Sequence, residues 1–227
     1  MFGIVDSHGY IKATTAIKTQ AYKSAEDFVK SATDSLQIII EQVGGISKIK
    51  GMGIGAPNGN FYSGTIERAP NISWGKGVVP LADMFAQAIG IPVALTNDAN
   101  AAALGEMTYG VAKGMKNFIM LTLGTGVGSG IVVNGQLVYG SELGHVIMVR
   151  EGGRLCGCGR HGCLEAYCSA TGVARTAREM LANTNEPSIL REMNAEDITS
   201  LDISIAAGKG DKMAKDIFEF TGKMLGQ

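Results

Sequence analysis

No basic surplus, no long apolar run, no internal repeat and no low-complexity linker mark this chain of 227 residues. Twenty Lys and Arg stand against 21 Asp and Glu, a formal net charge of -1 at pH 7. Binding a phosphate backbone depends on a concentrated basic footprint, so no nucleic acid is expected as a partner. No apolar stretch approaches the ~20 residues of a membrane-crossing helix, and no membrane association is expected. The N-terminus shows no basic region leading into an apolar core and a small-residue cleavage site, which places the expected location in the cytoplasm. Cysteine is scarce too. Of four cysteines, three fall between residues 156 and 163, a clustering that suits reduced thiols on a metal better than secretory disulfides.

What the chain does have is glycine, 32 residues of it, within a composition that is 45% hydrophobic and 18% charged. That describes a globular protein with many tight turns. Its length allows one large core or two modest ones.

Phe2 to Val5 and Ile11 to Ile17, separated by Asp6-Ser7-His8-Gly9, read as a hairpin. From Ser24 the period changes: Ala25, Phe28, Val29, Ala32, Leu36, Ile39, Ile40 and Val43 share one helical face, with Ser24 as cap and Gly44-Gly45 as stop. A strand is expected at 49–54, a helix at 81–89, a strand at 93–96 and a helix from Asp98 to about Tyr109. A strand follows at 118–123, then a hairpin of 130–133 and 136–138 closed by Asn134-Gly135, and helices at 171–182 and 211–225. Strands alternating with helices argue an α/β sheet with crossovers. The expected division is an N-terminal α/β domain, 1–97, and a C-terminal α/β domain, 98–227.

Four constellations carry chemistry. The run Gly124-Thr125-Gly126-Val127-Gly128-Ser129-Gly130 lies between two strands, which excludes both a Walker loop and a dinucleotide fingerprint, since each opens a helix. It is either a glycine-rich turn whose amides approach phosphate or a turn that binds nothing. Asn97 and Asp98 sit where a strand meets a helix, the edge at which open α/β sheets gather function. Asp98 there is either a general base toward a substrate hydroxyl or a helix cap. Cys156, Cys158 and Cys163, completed by His145 or by His161, form a set of three thiolates and one imidazole for structural zinc. Glu142 and Glu165 bracket that set. They are either acceptors for sugar hydroxyls held rigid by the metal or solvated surface charges.

Taken in order, Gly53-Ile-Gly-Ala-Pro-Asn58, Ala69-Pro-Asn71, Asn97-Asp98-Ala-Asn-Ala-Ala, Leu123-Gly-Thr-Gly-Val-Gly-Ser-Gly130, Glu142-x-x-Gly-His145 and Cys156-x-Cys-Gly-x-x-Gly-Cys163-x-Glu165 resemble the ROK family of sugar kinases and repressors, its glucokinase-like branch in particular. The resemblance implies an actin-like ATPase (ribonuclease H-like) fold, two α/β domains around a cleft with a zinc-stabilised loop. It implies ATP-dependent phosphorylation of a hexose, glucose first, with Mg2+ accompanying the nucleotide and Asp98 as base. Sugar contacts fall by the same resemblance on Asn58, Asn71, Asn97, Asp98, Glu142, His145 and Glu165. Phosphate binding falls on Gly124, Thr125, Gly126, Val127 and Gly128, and structural Zn2+ on His145, Cys156, Cys158 and Cys163. A homodimer is expected. A sugar-binding regulator or a fragment that binds sugar without turnover is the alternative. Family kinases open on a strand ending in Asp-x-Gly-Gly-Thr and continue past the position of Gln227, so the expectation is that both ends of the nucleotide site lie outside this chain.

Overall fold

A short loop that supplies its own hydrogen bonds starts the fold. In the computed structural model, which describes residues 1–69 and 72–227, the Asp6 carboxylate accepts from the amides of His8 (2.9 Å) and Tyr10 (3.1 Å). That turn joins β1 (Phe2–Val5) to β2 (Ile11–Thr15) as an antiparallel hairpin. Helix α1 (Ala25–Gln42) begins where Ser24 Oγ accepts from Asp27 N and ends at Gly44 and Gly45, both at positive φ. Its buried residues include Phe28, Val29, Ala32, Leu36, Ile39 and Ile40, the expected apolar face. Strand β3 (Met52–Ala56) starts and ends two to three residues later than the expected 49–54, beyond a 3-10 turn at Ile46–Lys48.

Three very short strands, β4 (Gly59–Asn60), β5 (Thr65–Glu67) and β6 (Val78–Val79), form a separate antiparallel sheet. Helix α2 (Leu81–Ile89) leads through Gly90, in the left-handed region, to β7 (Val93–Asn97), which pairs parallel with β3 from Met52–Val93 to Ala56–Asn97. Helix α3 (Asp98–Thr108) packs back on β3 and β7. Then come β8 (Phe118–Leu123), β9 (Val127–Val133) and β10 (Gln136–Val138), in sheet order β10-β9-β8. Asn134 and Gly135, both at positive φ, close the expected hairpin. Strand β9 is longer than expected and absorbs the second half of the glycine run, so the turn itself is Gly124 to Gly126. The last part is helical: α4 (Glu165–Cys168), α5 (Ala170–Asn183), α6 (Ser200–Gly208) and α7 (Lys212–Leu225).

Two compact units result, residues 1–120 with 130–140 and residues 121–129 with 141–227. The sequence reading divides at 97/98, whereas α3, on its strands β3 and β7, lies within the first unit. That unit's core is aromatic at its centre: Phe28 stacks on Trp74 at 4.7 Å and meets Phe85 edge-on at 6.2 Å. Offset and edge-on ring pairs add to area burial. Strands β1 and β3 line one apolar cavity of about 200 Å3 with these rings. The second unit buries Val173, Ala177, Ile203, Met213 and Ile217 where α5, α6 and α7 meet. No helix among the described residues is long and apolar enough to cross a membrane.

Candidate functional site

In the first unit, Asn97 and not Asp98 caps α3. Asn97 Oδ1 accepts from Ala99 N at 2.8 Å and from Asn100 N at 3.4 Å. Asp98, the first helical residue, accepts from Ala99 N through Oδ1 at 2.9 Å, and its Oδ2 makes no hydrogen bond among the described residues. The side chain is exposed, and a carboxylate in a first helical turn is favoured by the helix dipole. Asn97 Nδ2 makes no hydrogen bond among the described residues. Asn58, at φ 52°, spends its own Nδ2 on the carbonyls of Glu67 (3.1 Å) and Arg68 (3.3 Å), which leaves Oδ1 as its available atom. Gly59 has no room for a side chain: a Cβ there would lie 2.5 Å from the Thr96 carbonyl. That close approach sets the Asn58 turn against the end of β7. Asn71 lies outside the described residues.

In the second unit the glycine turn is tied down by its neighbours. Gly124 N donates to Gly126 O (3.0 Å), Ala170 N to Gly124 O (2.8 Å) and the Thr171 hydroxyl to Thr125 O (3.4 Å). Val127 N donates to Glu165 Oε2 at 3.0 Å. The amides of Thr125 and Gly126 make no hydrogen bond among the described residues, and they are the donors of this turn that an anion can take. Glu142 is exposed and begins a 3-10 turn over Leu143–His145, closed by His145 N on the Glu142 carbonyl at 3.0 Å. Ser129, buried in β9, anchors that turn: its hydroxyl accepts from Leu143 N (3.0 Å) and donates to Ser141 O (3.3 Å). Gly144 packs against the Val127 carbonyl, where any side chain would clash.

His145 joins the three clustered thiols. The four ligand atoms lie within 4.8 Å of one another. In a tetrahedral zinc site with Zn–S bonds of about 2.3 Å, neighbouring ligand sulfurs are about 3.8 Å apart. Cys158 Sγ and Cys163 Sγ are 3.7 Å apart, and Cys156 Sγ is 3.8 Å from His145 Nδ1. The set therefore fits zinc, with Nδ1 on the metal side and Nε2 on the other. His161 turns away and bonds the Gly153 carbonyl at 2.9 Å. The thiols are electrostatically unequal. Burial pushes Cys156 up to about 12 and raises Cys163, while the Arg160 backbone amide holds Cys158 down at about 6. Arg160 also donates to the His145 carbonyl at 3.1 Å.

Two residues that frame this loop act through bonds that no motif spells out. Arg154, 8% exposed, donates to Glu179 (2.6 Å), Thr176 (2.9 Å) and the carbonyls of Ala166 (3.2 Å) and Gly172 (3.3 Å), and stacks on Tyr167. Its backbone N donates to the Tyr167 hydroxyl at 2.9 Å. The loop before Cys156 is thereby fastened to α4 and α5. Ser129 is the second such residue, and neither has a partner near it in sequence.

A parallel β3-β7 pair with the Asp98 carboxylate at its end, and a glycine turn held beside a cluster of one histidine and three cysteines, belong to a protein of the actin-like ATPase fold. The chain is a member of the ROK family, whose family model matches residues 1–227. A glucokinase of Halalkalibacterium halodurans is 40% identical over 187 residues, covering 79% of this chain and 56% of that protein. The chain thus spans little more than half the length of that relative. A solved structure described as a ROK family glucokinase from Streptomyces griseus in complex with glucose and AMPPNP is 34% identical, with a TM-score of 0.73, covering 98% of this chain and 72% of the other. A xylose repressor of Caldicellulosiruptor bescii is 33% identical over 183 residues, 78% of this chain and 45% of that protein.

Proposed function

We propose that this chain belongs to an ATP-dependent hexose kinase, with glucose as the first substrate to test. The observation that carries the reading is the division of labour at β7-α3: Asn97 takes the capping duty, which leaves Asp98 Oδ2 unengaged at the sheet edge. In this reading Asp98 accepts the proton of the hexose 6-hydroxyl as that oxygen attacks the γ-phosphorus of ATP. Asn97 Nδ2 and Asn58 Oδ1 hold neighbouring hydroxyls, as do Asn71, Glu142, Glu165 and His145 Nε2. Thr125 and Gly126 amides receive phosphate oxygens, with Gly124, Val127 and Gly128 shaping the turn. Magnesium arrives with the nucleotide. Zinc on His145, Cys156, Cys158 and Cys163 supplies a rigid anchor and no nucleophile, because a closed set of four protein ligands keeps no open position. The protein works in the cytoplasm, as a homodimer.

The test is glucose-dependent ADP release by the whole protein and by Asp98→Asn. Losing a general base costs about 10²- to 10⁴-fold in rate, and equal turnover in both would remove Asp98 from that role. The xylose repressor relative supports a second reading, a sugar-binding regulator. Calorimetric titration with glucose, with and without ATP, beside an assay for ADP separates the two: a regulator or a non-catalytic fragment binds sugar with no ADP released.

A further inference from the structure

We propose that Glu165 is a positioning residue through which the metal cluster sets the conformation of the Gly124 to Val127 turn. This rests on the reading of His145 and the three thiols as a metal site. The carboxylate has two engagements at once. Oε1 accepts from the Cys156 thiol, a member of the cluster, at 3.4 Å, and Oε2 accepts from Val127 N at 3.0 Å. A Cβ at Gly126 would lie 2.5 Å from Oε2, so the turn closes directly on the carboxylate. Among the described residues, the turn's remaining bonds are to its own backbone, to Ala170 N and to the Thr171 hydroxyl. Among the described residues, Glu165 is thus the one side-chain acceptor for a turn amide.

The backbone of Glu165 is fixed from the cluster side as well. It follows Cys163 by two residues, and Leu164 N donates to Val146 O at 2.9 Å, next to His145. A bound metal takes Cys156 as the thiolate, its proton released to solvent, and pins Sγ as a fixed anionic wall that turns the carboxylate toward Val127 N–H. When the metal leaves, Cys156 takes up a proton and regains its rotamers, its S–H draws on Oε1, and Val127 N–H loses a fixed acceptor. The Thr125 and Gly126 amides sit on the same turn, so their aim follows metal occupancy. By linkage the coupling is reciprocal: an anion on those amides favours retention of the metal.

Hydrogen exchange of the Val127 amide and of the segment 121–130 tests this without sugar or nucleotide, so its outcome is separate from the kinase reading. The intact protein is compared zinc-loaded and chelator-stripped, with metal content measured in each sample. Stripping the wild type is expected to speed Val127 exchange by about tenfold, as a local opening, while α6 and α7 keep their protection. In Glu165→Ala the amide exchanges fast in both states, and stripping adds less than about twofold. Glu165→Gln restores most of the protection and its metal dependence, because the amide oxygen accepts the same bond. An unchanged wild-type rate on stripping overturns the proposal, and so does an equal metal effect in Glu165→Ala. Loss of protection spreading to α6 and α7 also overturns it, since that marks unfolding of the unit. If Glu165→Ala does not fold, the stripped and loaded wild type and Glu165→Gln decide the matter.

Discussion

Gly162 shows how much of the metal loop is decided by a single absent side chain. It sits at φ 80°, against the Val149 carbonyl, where a Cβ has no space. Gly162→Ala should cost about 1–3 kcal/mol of stability, measured by urea unfolding, and should lower zinc content because Cys163 is displaced with it. Cys158→Ser removes a ligand outright. Metal analysis should find about one zinc per chain in the wild type and markedly less in this variant, with weaker glucose binding. At this scale the sequence is legible wherever chemistry demands a rare residue type: the three cysteines can be named from spacing alone, whereas Asp98 stays open between base and helix cap until the resemblance gives it the base role. The choice of His145 over His161 came only from the resemblance, because spacing alone admits both. Ser129 and Arg154 were invisible, since a serine in a strand and an arginine in a loop announce no partner 12 to 25 residues away.

Among the elements, the latch between the metal loop and α5 is the one whose strength varies with pH. Burial alone would raise the Glu179 carboxyl, but the Arg154 and Arg175 guanidiniums outweigh it and hold the group below the ordinary carboxylate value. A carboxyl depressed on folding contributes stability that is complete above its unfolded value near 4.3 and lost as pH falls through its folded value. Urea midpoints from pH 7 down to 3 should therefore fall more steeply for the wild type than for Glu179→Gln. The contribution is modest because the Glu179 side chain is 44% exposed. Long periodic helices such as α1, α2 and α7 were readable from the apolar stripe. Helix α6 was not: Leu201, Ile203 and Ile205 alternate like a strand, and only the Thr199-Asp202 capping box marks its start. The β4-β5-β6 sheet escaped as well, because strands of two or three residues show no period.

For the whole molecule, stability rests on packing and, in the proposed reading, on zinc. Ile217 is fully buried where α7 meets α5 and α6, and Ile217→Ala should cost about 2–5 kcal/mol in chemical denaturation. Removing zinc should lower the melting temperature of the wild type and leave that of Cys158→Ser nearly unchanged. The order of motifs along the chain made the fold legible, but the course of the chain between the units was not. The chain passes from one unit to the other at 120/121, at 129/130 and at 140/141, with β8 and β9 each begun in one and finished in the other. Neither unit is a continuous stretch of polypeptide. A single proteolytic nick frees neither as a whole, and a gene split at any one of these points encodes two pieces that must find each other to fold. The units are separate in their cores and inseparable in their synthesis.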